Sequence, residues 1–250
     1  MKYIVEIIII IIIILLYVIY LYAYYSGSCK INKDYKYCND HFCLFKKFKF
    51  QLNKKLLNKI DNMTNNKSIQ SRVNINSYFE NISNCALPNR KGITIPTLEI
   101  LKYSPDLINY YQNDLCKIVS DIVGIKLYTT ELNMPTSCAI IIYNQENDWI
   151  NWHYDYNYYD GRFFTVLIPI TQDNTCTTFQ YMNNDGKIFN INLSDALCFE
   201  GNYLYHRATK LCEGEKRIVL SCQYVTTNNM TDINKLRIKL KDYAFIGKFL

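Results

Sequence analysis

The stretch Cys138-Ala139-Ile140-Ile141-Ile142-Tyr143 begins the part of the chain that decides its fold. From there to Thr227, β-branched and aromatic residues come in short runs, separated by turn signals such as Asn183-Asn184-Asp185-Gly186. Runs of this kind are typical of β-strands. Strands are predicted at residues 138–143, 162–170, 177–181, 187–193, 196–199 and 217–225. Several short strands at this spacing favour a sandwich or a jelly-roll barrel.

A helix is predicted directly before these strands. Ser104-Pro105-Asp106 is typical of a helix start, and Gly124 of a helix end. Between them the apolar residues recur at helical spacing and form one face: Ile108, Tyr111, Leu115, Ile118, Val119 and Ile122. Such a face predicts packing against a sheet. After the strands, the basic and periodic residues 228–250 predict a C-terminal helix.

Residues 29–100 are predicted to be a connector rich in lysine and asparagine. Within it, apolar residues at helical spacing predict one amphipathic helix between Phe42 and Ile60. Residues 61–77 are polar and predict a loop. The fold class that follows is mainly β with flanking helices (α+β). Its domain covers residues 101–227, with the β core at 138–227.

Residues 1–28 predict a membrane anchor. From Ile4 to Ala23 the chain is apolar or aromatic except for Glu6, and a spanning helix needs roughly 20 such residues. The alternative is a signal peptide cleaved near Ser26-Gly27-Ser28, but the apolar run is longer than the roughly 7–15 residues typical of a signal sequence. We therefore expect a single-pass membrane protein with its N-terminal helix in the membrane.

The side of the membrane stays open at this stage. The lysines between residues 30 and 49 outnumber the single Lys2 before the span, which favours a cytoplasmic domain. The 10 cysteines and the glycosylation sequons, two of them at Asn192 and Asn229, favour an oxidising lumen. We expect the domain in the lumen of the endoplasmic reticulum or secretory pathway, with the cytoplasm as the alternative.

Charge and histidine content exclude some functions. The net charge of +6 is modest, and no arginine-rich run or glycine–aromatic alternation suggests a nucleic-acid groove. We therefore expect no nucleic-acid partner. The sequence also shows no serine or cysteine nucleophile paired with a histidine base. Two of the three histidines belong to the set described next, and the third, His41, lies far upstream of the strands.

The other two histidines belong to an ordered set. His153 and Asp155 are two residues apart, so in an extended segment their side chains leave the same face. His206 follows 53 residues later, and Arg217 follows 11 residues after that. Two imidazoles and one carboxylate suit Fe(II) and leave further coordination positions open. The set predicts an iron site with a cation beside it.

These residues resemble the Fe(II)/2-oxoglutarate-dependent dioxygenases, most closely the prolyl 4-hydroxylase-like branch. The resemblance covers residues 138–227 and follows the family's order: Tyr143, His153-Tyr154-Asp155, Asp160-Gly161-Arg162, Asp195 to Phe199, and Gly214 to Arg217. It implies a double-stranded β-helix (jelly-roll, cupin-like) core and an oxidoreductase that uses Fe(II), 2-oxoglutarate and O2, with ascorbate as the supporting reductant.

The resemblance also implies residue roles. His153, Asp155 and His206 would hold the iron, and Arg217 would pair with the distal carboxylate of 2-oxoglutarate. Tyr143 would donate its hydroxyl to the same carboxylate. The family often has a polar residue two positions after the arginine, where this chain has Val219. Ser221 is predicted to take that place, and the alternative cations are Lys216 and Arg162.

The expected reaction is hydroxylation of a C–H bond, with peptidyl proline implied as substrate by the resemblance. A protein or peptide partner is therefore expected. Two alternatives stay open: the same chemistry on a lipid or small molecule, and a non-catalytic jelly-roll binding protein with a vestigial metal site. The aromatic residues around the metal motif are open to two interpretations, substrate contact or packing: Trp149, Trp152, Tyr154, Tyr156, Tyr158 and Tyr159.

Overall fold

The structure, a computed structural model, describes residues 2–26, 44–75, 89–173, 176–183, 185–191, 194–236 and 238. The cysteines at 29, 38 and 43, and the sequons at Asn81 and Asn192, lie outside the described residues.

Twelve strands of the described chain form one antiparallel sheet. They are β1 (Phe45–Phe48), β2 (Ser71–Ile75), β3 (Arg90–Ile95), β4 (Tyr128–Thr129), β5 (Cys138–Tyr143), β6 (Trp149–His153), β7 (Phe163–Asp173), β8 (Phe179–Met182), β9 (Ile188–Ile191), β10 (Ala196–Phe199), β11 (Tyr205–Ala208) and β12 (Lys216–Val225). Hydrogen-bonded neighbours follow the order β1-β10-β7-β12-β5-β3-β6-β11-β8-β9, while β2 pairs with β3 and β4 with β12.

The sheet curls so that its two ends enclose a cavity. Side chains of β5, β7 and β12 on one side, and of β6, β8 and β11 on the other, line the same space. This mainly β, curled arrangement is consistent with the predicted jelly roll. Each predicted strand is present, with ends that differ by a few residues.

Strand β12 shows why the sheet has two different faces. Val219 and Ser221 point into the cavity, whereas Leu220 and Cys222 lie in the apolar cluster on the opposite face. Alternation with period two produces this division because successive side chains of a strand leave opposite faces. The outer face of β12 is therefore free to pack against helices.

Helices cover that outer face. They are α2 (Lys54–Asn65), α3 (Thr97–Tyr103), α4 (Pro105–Tyr110) and α5 (Cys116–Val123), with a π-helical turn at Tyr111–Leu115 between the last two. Leu115 and Val119 are fully buried in the cluster shared with the sheet, and burying such a side chain contributes about 1.5–3 kcal/mol. Gly124 ends α5 with a φ of 79°, where a left-handed residue is needed. The predicted packing helix is confirmed.

Two predictions for the connector are wrong. Phe45–Phe48 is not helical but forms β1 at the edge of β10, and the helix begins only after Asn53, whose side chain accepts a hydrogen bond from the Leu56 amide. Residues 71–75, predicted as loop, form β2. In both places pairing with a distant strand overrides the local pattern.

The N-terminal segment forms helix α1 (Lys2–Ser26). Across the part of the chain that the structure describes, no helix meets the length and apolarity needed to cross a membrane. The membrane anchor stays a prediction from the sequence.

The C-terminal segment is helical at residues 232–236. Beyond it, Ile238 is buried against Met134, Tyr158 and Phe163, so this segment packs on the domain.

Candidate active site

The cavity inside the curled sheet has a volume of about 110 Å³. The predicted site residues that line it are Tyr143, His153, Asp155, His206, Arg217 and Ser221. Its other walls are mainly apolar, from residues such as Leu167, Phe179 and Val219. The structure thus brings together side chains that lie up to 78 residues apart (Tyr143 and Ser221).

The two histidines face each other across neighbouring strands. His153 ends β6, His206 lies in β11, and the two are direct partners in the antiparallel ladder. Their ring centroids are 4.2 Å apart. Neither strand is predicted from the sequence, so their pairing is the main structural addition to the predicted site.

Each histidine is oriented by a backbone carbonyl. The Nδ1 atom of His153 lies 2.7 Å from the Asn151 carbonyl oxygen, and Nδ1 of His206 lies 2.7 Å from that of Leu204. A carbonyl oxygen only accepts, so each Nδ1 must carry the proton and donate it. In the neutral form of each imidazole the lone pair is then on Nε2, the atom that is available to bind a metal.

Asp155 completes the group. Its Oδ1 lies 3.6 Å from Nε2 of His153 and 3.8 Å from Nε2 of His206. One ligand atom from each of the three residues lies within 4.8 Å of the others, so one ion can touch all three. Such a set of two imidazoles and one carboxylate fits Fe(II) and leaves part of its coordination sphere for other ligands.

The protonation states also suit a divalent cation. Burial tends to raise the pKa of the Asp155 carboxyl, but the neighbouring His206 and His153 and a hydrogen bond from Thr165 hold it well below its ordinary value. Burial, together with the neighbouring His153, lowers the pKa of His206 to about 4, although Asp155 opposes this. At neutral pH the site therefore offers a carboxylate and an uncharged His206 imidazole.

Arg217 lies in the same cavity and is only 5% exposed. Its Nη1 atom is buried and has no hydrogen-bond partner among the described residues. The guanidinium carbon stands 5.7 Å from the centre of the Tyr143 ring. Burial lowers the pKa of Arg217, since a charged group loses its hydration there. An unsatisfied buried donor of this kind fits an anionic ligand.

Comparison with known protein families and with curated proteins finds no match to this sequence. Solved structures do match the fold. A 2OG-Fe(II) oxygenase family oxidoreductase from Burkholderia pseudomallei aligns with a TM-score of 0.53 and 11% identity, over 72% of this chain and 83% of that one. The non-heme alpha-ketoglutarate-dependent epimerase SnoN aligns with a TM-score of 0.53 and 8% identity, over 73% and 76%. AviO1 from Streptomyces viridochromogenes aligns with a TM-score of 0.50 and 11% identity, over 72% and 89%.

The chain has the fold of the Fe(II)/2-oxoglutarate-dependent oxygenases. Within this oxygenase fold, the His153–Asp155–His206 group and Arg217 occupy one cavity.

The two alternative cations have other surroundings than Arg217. The Arg162 guanidinium makes two hydrogen bonds to the Glu200 carboxylate, at 2.8 and 2.7 Å, and the Glu200 side chain is fully buried. Arg162 is thus committed to that carboxylate. Lys216, unlike Arg217, is not among the residues that line the cavity.

Sequence reasoning missed several residues around the site. Thr165, on β7, donates its hydroxyl to Oδ2 of Asp155 at 2.5 Å. Gly201 lies against the same carboxylate. Arg90, on β3, is buried, donates to the Thr94 hydroxyl at 2.7 Å, and is close enough to Tyr143 to affect its ionisation. The one available signal was Gly201, two residues after the predicted strand 196–199, since Thr165 and Arg90 carry no local pattern.

The aromatic residues near the metal motif divide between the two interpretations. Tyr158 and Tyr159 are buried in an apolar cluster, which makes them core residues. Trp152 stacks on Tyr205 at a centroid distance of 5.3 Å, and Tyr154 packs against the same ring at 5.0 Å in a tilted arrangement. The three rings are half-buried. Trp152 and Tyr205 are next to His153 and His206 in β6 and β11, so their side chains leave the opposite face of the sheet.

The cysteines also divide. Cys198 and Cys222 are buried core residues, as predicted. Cys176 and Cys212 form a disulfide that joins the segment after β7 to the turn before β12. Glu215 lies beside this disulfide, and the bonded sulfurs do not act as thiolate ligands.

Proposed function

We propose that this protein is an Fe(II)- and 2-oxoglutarate-dependent oxygenase that hydroxylates a C–H bond. The observation that carries the proposal is the pairing, in one cavity, of a His153–Asp155–His206 group with a buried Arg217 whose Nη1 has no hydrogen-bond partner in the described part of the chain. A cluster of metal ligands by itself would fit many metalloproteins, and a buried arginine by itself would fit many anion sites. Together they provide for a divalent metal and for an anionic cosubstrate next to it.

The chain's own residues would act in two ways. Neutral imidazoles and the Asp155 carboxylate would hold the iron. Arg217 would bind the distal carboxylate of 2-oxoglutarate, because its planar guanidinium can donate two parallel hydrogen bonds. Tyr143, against the Arg217 guanidinium, would add a hydroxyl, and Ser221 shares the cavity face of β12 with Arg217. When bound, iron, 2-oxoglutarate and O2 would supply the oxidation, in which one oxygen atom of O2 enters the substrate C–H bond and the other enters succinate, with release of CO2.

Peptidyl proline is the proposed substrate, and its support is the resemblance of the motif order to prolyl 4-hydroxylases. A peptide partner is part of the same proposal and rests on the same resemblance. A small-molecule substrate is the second candidate. It is favoured by the fold likeness to SnoN, an epimerase from nogalamycin biosynthesis.

The direct test is turnover of labelled 2-oxoglutarate by the purified chain with Fe(II) and ascorbate. Succinate should form, and it should increase with proline-containing peptides if the peptide proposal is right. His153→Ala should abolish it. Succinate formation that responds to small hydroxylated compounds but to no peptide would select the second candidate.

Metal content separates an enzyme from a vestigial binding protein. The wild-type chain should bind one divalent metal ion, and His153→Ala should bind none. Equal metal content in the two proteins would contradict the oxygenase proposal.

We propose that the domain works in the secretory lumen. The Cys176–Cys212 disulfide supports this, because such bonds persist mainly in oxidising compartments. Asn229 begins a sequon and is exposed. Glycosylation at Asn229 in expressing cells, lost in Asn229→Gln, is the expected result, and an unmodified Asn229 with free cysteines would favour the cytoplasm.

A further inference from the structure

The two oxygens of the Asp155 carboxylate have different surroundings. Oδ1 is the atom that approaches Nε2 of both His153 and His206. Oδ2 instead accepts the hydroxyl hydrogen of Thr165 at 2.5 Å. Thr165 is 4% exposed and sits in the middle of the sheet, between Phe199 of β10 and Gln223 of β12. Its hydroxyl is thus presented from a rigid position.

The backbone of Gly201 closes another side of this carboxylate. A Cβ atom at position 201 would lie 2.2 Å from Oδ2 and 2.6 Å from Cγ of Asp155, closer than real atoms approach. The Asp155 amide donates to the Gly201 carbonyl at 2.9 Å, which holds the two segments together. The residue before Gly201 is Glu200, whose fully buried side chain is held in place by its ion pair with Arg162.

We propose that Thr165 and Gly201 are positioning residues that keep Asp155 a one-oxygen metal ligand. This inference rests on the proposed function. A carboxylate that is free to rotate can bind a metal through both oxygens, as carboxylates do in many metal sites. With Oδ2 bound to Thr165 and confined by Gly201, only Oδ1 is left for the metal.

The way in which Asp155 binds the metal would set the number of coordination positions that stay open. Three protein ligands on an octahedral ion leave three positions free, and a cosubstrate that chelates through two atoms together with O2 needs all three. If Asp155 bound through both oxygens, one of these positions would be lost. Thr165 thus acts on cosubstrate binding without touching the cosubstrate.

The test compares three variants on strand β7. Thr165→Val removes the hydroxyl while keeping the shape, and Thr165→Ser restores a hydroxyl. Thr171→Val is the matched control, because the Thr171 hydroxyl is buried and has no partner among the described residues. Circular dichroism and thermal unfolding establish that each variant folds.

Mn(II) alone is the probe, because it replaces Fe(II) without air oxidation and its effect on water proton relaxation counts the exchangeable waters on the metal. With Mn(II) bound, the number of exchangeable waters on the metal should fall from about three in the wild type to about two in Thr165→Val. The relaxation enhancement should therefore fall by about one third. It should also bind 2-oxoglutarate at least about 10-fold more weakly, as expected for loss of a residue that orients a ligand. Thr165→Ser and Thr171→Val should match the wild type in both measurements.

An unchanged water count and unchanged 2-oxoglutarate affinity in Thr165→Val would overturn the inference while leaving the proposed function intact. An equal loss of waters and of 2-oxoglutarate affinity in Thr171→Val would also overturn the inference, since it would indicate a general effect of loosening β7. Failure of the wild-type chain to bind Mn(II) at all would refute the proposed function itself, and this inference with it.

Discussion

Replacing Arg217 by methionine should remove cosubstrate binding without weakening the fold. The guanidinium is buried, and its Nη1 has no partner among the described residues. Replacing a buried charge by an apolar side chain of similar volume is often neutral, or stabilising by about 1–4 kcal/mol. The lost contact to 2-oxoglutarate comprises two charge-assisted hydrogen bonds worth about 1.5–3 kcal/mol each. A loss of about 3–6 kcal/mol corresponds to roughly 10²–10⁴-fold weaker 2-oxoglutarate binding.

Arg162 supplies the matched control, because it is a largely buried arginine whose guanidinium, unlike that of Arg217, is paired with a carboxylate. Its guanidinium neutralises the fully buried Glu200 through a two-point contact. Arg162→Met would remove the guanidinium from that buried carboxylate, and breaking such a pair typically costs about 3–5 kcal/mol. The two substitutions remove the same chemical group, so a difference between them reports on the surroundings.

The assay combines urea denaturation of both variants with calorimetric titration of 2-oxoglutarate into the Mn(II)-loaded proteins. Arg217→Met should keep or raise the free energy of unfolding and show no measurable 2-oxoglutarate binding, whereas Arg162→Met should lose stability. If Arg217→Met destabilises the protein as much as Arg162→Met and still binds 2-oxoglutarate, then Arg217 serves the fold and the assignment is refuted.

Three further outcomes are expected. Gly201→Ala should weaken Mn(II) binding by about 10–100-fold, because its new methyl group would displace the Asp155 carboxylate; an unchanged affinity in a metal titration would contradict the close contact. The folded-state pKa of His206, about 4, lies below the ordinary value of 6.5, so the metal-free protein should lose stability as pH falls from about 6.5 to 4. The free energy of unfolding, measured by urea denaturation, should fall less between pH 7 and pH 5 in His206→Asn than in the wild type. An equal fall in the two proteins would argue against a buried neutral imidazole. Reduction of Cys176–Cys212 should lower the free energy of unfolding by about 2–4 kcal/mol, with no response to dithiothreitol in the double serine variant.

Local pattern is enough to predict much of the sheet and the packing helix. The strands at 138–143 and 196–199 have the predicted ends, because both are apolar segments bounded by turn residues. The helix that ends at Gly124 is equally predictable from its cap, its apolar face and its terminating glycine. Such signals are short-range, so they survive without knowledge of the partner strand.

Strands β6 and β11 escape prediction for a physical reason. Each mixes half-buried aromatic residues outside with a histidine inside, so neither has an apolar alternation. They become strands by pairing with each other and with β3 and β8, residues that are distant in sequence. Strand β1 is wrongly predicted as helix for the same reason, because its pairing with β10 is not visible in its own residues.

The order of residues along the chain was sufficient for the chemical identities at the site: two histidines, one aspartate and one arginine in a family's order, and therefore the expected class of reaction. Three further features depend on the folded arrangement: which nitrogen of each imidazole faces the metal position, which oxygen of Asp155 accepts from Thr165, and how the two arginines are paired. Arg162 pairs with Glu200, whereas Nη1 of Arg217 has no partner within the ranges that the structure describes. These are facts about hydrogen-bond partners brought together by strand register. Register is set by long-range pairing and packing, which no local stretch of residues contains.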